Sequence, residues 1–146
     1  MSLFDSSNLI TIKLYYILKD VGGDKKLIIL DDEKGQKKFE EQSEDAENKV
    51  EVLESKWSNL NWREQNDISA ASSKDIDPMT GERQFNLIIY RDALIKKCLK
   101  KWNLTMGGNA VPVTPENIDR LPSNVVYSLY KKFETITTYT EEDLGN

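Results

Sequence analysis

Histidine is missing altogether, and cysteine occurs once, at position 98, in a chain of 146 residues. Without an imidazole there is no Ser-His-Asp triad, no Cys-His nucleophile pair and no Cys/His zinc site. A single thiol cannot close an internal disulfide, which suits folding in a reducing compartment. Any chemistry would rest on carboxylates, lysines or hydroxyls. Long apolar runs are lacking too. The longest, Leu14 to Leu18, falls far short of the roughly 20 residues of a bilayer-spanning helix. The opening residues lack the charged, apolar and small-residue regions of a secretion signal. Positive charge is the minority sign, 20 Lys+Arg against 25 Asp+Glu, so the average field repels phosphate and disfavours nucleic acid or anionic membrane as a general partner. These absences predict a soluble intracellular protein that is not an enzyme and needs no metal or cofactor.

Hydrophobic residues make up 38% of the chain and charged ones 31%. That balance fits a modest core and leaves room for a mobile segment or an uncovered partner surface. The stretch 9–18, "LITIKLYYIL", has the β-branched and aromatic composition of a strand. Gly22-Gly23 can take the positive φ of a tight turn, and "LIIL" at 27–30 reads as the returning strand. "VEVLES" at 50–55 reads as a third strand in preference to a helix. Between them, "DDEKGQKKFEEQSEDAENK" (31–49) is either an acidic docking surface or a solvated helix or connection, and composition favours the second.

The remainder carries helical signals. Asn61 followed by Glu64 is a capping box, so a helix should begin at Trp62, with Trp57 in the approach segment. A break between these tryptophans lets both rings turn inward as junction clamps. Residues 69–84 read as a loop; "DIDPMTG" has the opening spacing of a calcium loop, but Met79 then stands at a ligand position and turn chemistry explains it better. Glu64 and Asp67 lie one helical turn apart and could share a metal, though a cap and a solvated carboxylate are the simpler roles.

A single helix is expected over 84–102, "QFNLIIYRDALIKKCLKKW", with Leu87, Leu94, Cys98 and Trp102 on one stripe and Ile88, Ile95 and Leu99 beside it. Its lysines 96, 97, 100 and 101 suggest nucleic acid only until their position, opposite the stripe, is noticed. Gly107-Gly108 makes a turn. Thr114-Pro115-Glu116 starts a short helix, and after Leu121-Pro122 a last helix carries Val126, Leu129, Tyr130 and Phe133 at i, i+3, i+4 and i+7. The expected fold is therefore α+β: an N-terminal β-hairpin or small antiparallel sheet with an acidic connection (1–55), a mainly α-helical unit of about four helices (56–139) and a flexible tail (140–146), with one compact domain as the other option.

The order of signals over roughly residues 50–135 resembles the tail assembly chaperones of long-tailed bacteriophages: "LNWREQNDI" around Trp62, the Trp102-Asn103-Leu104 triplet, then "VPVTPENIDRLP" and a closing amphipathic helix. The strand-rich N-terminal third departs from that largely helical family. The resemblance implies a non-enzymatic factor that coats the phage tape-measure protein and recruits tail-tube protein in the host cytoplasm, with homo-oligomer formation left open. A structural component of a tail, baseplate or head-tail connector, resident in the virion tail, is the alternative. Under the resemblance, Trp57, Trp62, Trp102 and Met106 are the candidate partner contacts, each weighed against a place in the core.

Overall fold

The computed structural model describes residues 8–138, so the tail at 140–146 lies outside the described residues. The chain is α+β. β1 (Ile10–Val21) and β2 (Asp24–Leu30) form a hairpin closed by Gly22 and Gly23, at φ 61° and 92°. α1 (Asp32–Glu41) follows, and β3 (Val50–Trp57) pairs antiparallel with β1 on its other side. Next come α2 (Trp62–Ala71), a small hairpin of β4 (Asp75–Ile76) and β5 (Arg83–Gln84), and α3 (Leu87–Cys98). β6 (Leu99–Trp102) joins the main sheet, whose order is β2-β1-β3-β6. A second small hairpin, β7 (Thr105–Met106) and β8 (Asn109–Ala110), precedes α4 (Pro115–Asp119) and α5 (Ser123–Thr137).

Strand alternation gives the sheet two faces. Ile12 and Leu14 of β1 and Leu53 and Trp57 of β3 point to one side, where Leu94, Ile95 and Cys98 of α3, Ile118 of α4 and Leu129, Tyr130 and Phe133 of α5 complete the main core. Tyr15, Ile17 and Val50 point to the other side and form a smaller cluster with Leu30 and Val52. α1 covers that side. Its buried Gly35 lies so close to β1 that a Cβ there would land on the Tyr15 side chain, and Phe39 packs beside Tyr15 at 6.1 Å between ring centroids. The charged segment is thus helical over its first half and lies on the sheet.

The expected boundary at residue 55 falls inside β3, and β6 returns from the helical half into the sheet. This is the main revision to the long helix expected over 84–102. Phe85 and Asn86 precede it, Asn86 capping the N–H groups of Ile88 and Ile89, and the helix stops at Cys98. Leu99 to Trp102 take extended backbone because β3 still has an unpaired edge along Ser55–Trp57. The register shifts between Lys56 and Trp57, so that Lys100 bulges and Leu99 turns into the core. Trp102 therefore belongs to a strand and not to a helical stripe. Among the described residues there are five helices, because α1 joins the four expected later in the chain.

Candidate partner-binding surface

Among the described residues, no three Asp, Glu, Cys or His side chains gather as a metal site. Glu64 accepts from the backbone N–H of Asn61 at 3.1 Å while Asn61 accepts from that of Glu64 at 2.8 Å, which completes the capping box. The Glu64 carboxylate also pairs with Lys97 at 3.1 Å, and these two interactions hold it below its usual carboxylate range. Asp67 pairs loosely with Arg63 instead. Cys98 is fully buried, and burial pushes its thiol up to about 11, the opposite of a nucleophile.

The four lysines do not form one face. Lys96 sits between Asp92 and Asp119 at 3.1 and 2.9 Å, Lys97 meets Glu64, and Lys100 and Lys101 lie on β6.

The four candidate contact residues separate into two pairs. Trp57 is fully buried, its ring stacked on Phe133 at 4.8 Å. Its indole N–H donates to Ser55 Oγ at 2.8 Å, and that hydroxyl donates to the Ile12 carbonyl at 2.8 Å. This corrects its candidacy as a contact, because the ring cannot meet a partner without opening the core. Trp102 is half-buried, with its N–H given to the Val111 carbonyl, where it pins the 103–113 loop to the sheet. Trp62, expected to turn inward, is 80% exposed: the cap places it at the first helical position, where no core residue covers it. Met106 is exposed on the β7–β8 hairpin.

A larger apolar surface went unnoticed in the sequence. Ile76 and Met79 on the β4–β5 hairpin, Phe85 on the approach to α3, and Leu87, Ile88 and Ile89 in its first turn are all exposed, Ile88 at 70%. The Asn86 N–H, bonded to the Ser72 carbonyl at 2.7 Å, ties the end of α2 to the start of α3 and holds this surface in place. Ile88 also borders a groove of about 650 Å³ between α3, α4 and α5, lined by Ile95, Ile118, Leu121 and Tyr127. Arg91 lies in the groove, its guanidinium 5.4 Å from the centre of the Tyr127 ring. A signal was available: consecutive apolar residues at 87, 88 and 89 cannot share one helical face, so some of them had to point outward.

No protein-family model, curated protein or solved structure matches this chain.

Proposed function

We propose that this chain is a non-enzymatic assembly factor that holds a partner protein, of the kind represented by the phage tail assembly chaperones. Its expected partners are the tape-measure protein and tail-tube protein of the same phage, met in the host cytoplasm. The observation that carries the reading is the set of exposed apolar side chains around the start of α3, Ile76, Phe85, Leu87 and Ile88, of which Ile88 also lines the α3–α4–α5 groove. Contiguous apolar surface on an otherwise charged protein marks a place where another protein sits. A groove whose walls combine Ile88, Ile95, Ile118, Leu121, Val126 and Tyr127 with the charges of Arg91, Asp92 and Asp119 suits an amphipathic helix, its apolar stripe on the first set and its flanking charges on the second. Long helices of that kind are what a tape-measure chaperone has to keep in solution.

Co-expression with the tape-measure protein tests it. A soluble complex that survives purification, and is lost in Ile88→Glu, supports the reading. Equal aggregation of the tape measure with and without this chain overturns it. A structural role in a tail, baseplate or connector is the second reading, favoured by the outer edge of β2, with which no second strand pairs among the described residues. Mass spectrometry of purified particles separates the two, since a virion component is present in stoichiometric amount and a chaperone is absent.

A further inference from the structure

The two edges of the main sheet are finished differently. On the β3 side the outward backbone groups are met at Val50, Val52 and Glu54 and along the pairing with β6. β6 pairs with Ser55–Trp57, the Asn103 side-chain amide takes the Glu54 N–H and the Val52 carbonyl at 2.9 and 3.0 Å, and the Gln42 amide takes both backbone groups of Val50 at 2.7 and 2.9 Å. β6 itself is short and displays Lys100 and Lys101, the usual guards of an edge.

β2 forms the opposite edge, with β1 as its sole strand neighbour among the described residues. After Lys25 and Lys26 it runs Leu27-Ile28-Ile29-Leu30, with no charge and no proline. α1 leaves its end to lie across β1 and β3, so among the described residues no element pairs with the β2 edge.

We propose that β2 pairs antiparallel with β2 of a second copy of this chain about a two-fold axis, joining the two sheets into one of eight strands. Residues opposed in an antiparallel pair must agree in the direction of their backbone groups, so two identical strands on a two-fold axis pair with one residue opposite its own copy. Centring on Ile28 sets Leu27 against Ile29, Lys26 against Leu30 and Lys25 against Asp31. Charge then meets opposite charge at each end, and apolar side chains meet in the middle. Centring on Leu27 instead sets both Lys25 and Lys26 against isoleucines, and centring on Ile29 sets the Asp31 carboxylate against Leu27 and runs the pairing into Asp32, the first residue of α1. The one mismatch of the Ile28 register, Lys26 against Leu30, lets the lysine stem lie along the leucine. Two-fold pairing of this kind also continues both apolar faces across the joint. Leu27 and Ile29 already pack toward the main core, and Leu30 toward the smaller cluster. The proposal stands apart from the tail reading, because a dimer without affinity for a tape measure would leave it intact.

Sedimentation equilibrium over a wide dilution series is the first test: the mass should climb from 16.8 kDa toward twice that value. Ile28→Lys, which brings two ammonium groups together on the axis, should hold the mass at the single-chain value with an unchanged circular dichroism spectrum. The second test does not depend on how that variant folds. Ile28→Cys should give a reducible intermolecular disulfide under mild oxidation, because opposed Cα atoms lie about 4.5–5.5 Å apart. Leu18→Cys should not, although Leu18 is 51% exposed against 39% for Ile28, because its copies would be roughly 14 Å apart across three strand spacings. The buried Cys98 does not compete. A wild-type chain that stays at the single mass, a folded Ile28→Lys variant that still dimerises, or equal cross-linking at positions 18 and 28 overturns the proposal.

Discussion

The Trp57 indole closes a short relay through Ser55 Oγ to the Ile12 carbonyl, linking β3 to β1 beneath Phe133. Removing the ring leaves a cavity in the middle of the main core, so Trp57→Ala should cost about 3–5 kcal/mol in urea unfolding. Trp62→Ala, with no core contact to lose, should stay within about 0.5 kcal/mol of wild type. Equal losses at the two positions would contradict the packing described. The sequence showed that a junction lay between these rings, because Asn61 and Glu64 act within one helical turn. It did not show which way Trp62 points, since that depends on where the sheet lies relative to α2, a property of the whole fold. Cys98 gives a second residue-scale prediction. With its thiol buried and pushed up to about 11, it should resist an aromatic disulfide reagent near neutral pH and react fully once the chain is unfolded. Fast labelling of the native protein would place it elsewhere.

Caps and turns were the legible elements because their signals are local. Asn61 with Glu64, Thr114 before Pro115, and Gly22-Gly23 each sit where the sequence put them. β6 was not legible. Its four residues continue a convincing helical periodicity, and only the unpaired edge of β3, far away in sequence, makes extended backbone the better choice. The cap of α2 supports a pH prediction. Glu64 has its folded pKa lowered, first by the Asn61 N–H and then by Lys97. Its stabilisation is therefore fully present above the unfolded value of about 4.3 and is lost as pH falls through the lower folded value. Asn61→Ala should cost about 1 kcal/mol at neutral pH. Glu64→Gln keeps an acceptor for the Asn61 N–H but loses the charge, so its urea midpoint should fall below wild type at neutral pH and converge with it in acid. A gap of constant size from neutral to acidic pH would show that the carboxylate charge contributes nothing to the cap.

At the scale of the whole molecule, the main core draws on both sides of the boundary suggested by composition. Ile12, Leu14 and Leu53 come from the N-terminal part, and Leu94, Cys98, Leu129 and Phe133 from the helical part. β6 cannot keep its backbone bonds without β3, and Trp57 has no environment without Phe133 and Ile12. The exposed surface at the start of α3 escaped sequence reading for a related reason: exposure is decided by what packs against an element, and here the residues of α3 that are buried in the core, Leu94, Ile95 and Cys98, all lie in its second half. A core shared in this way unfolds as a unit. Thermal melts followed by tryptophan fluorescence and by far-ultraviolet circular dichroism should therefore coincide in one transition. A fragment of residues 56–138, which keeps every helix except α1 but loses β1 and most of β3, should show little native helix signal and no cooperative melt. A fragment that melts cooperatively by itself, or two separated transitions in the full chain, would mean that the helical half holds its own core and that the sheet is an appendage to it.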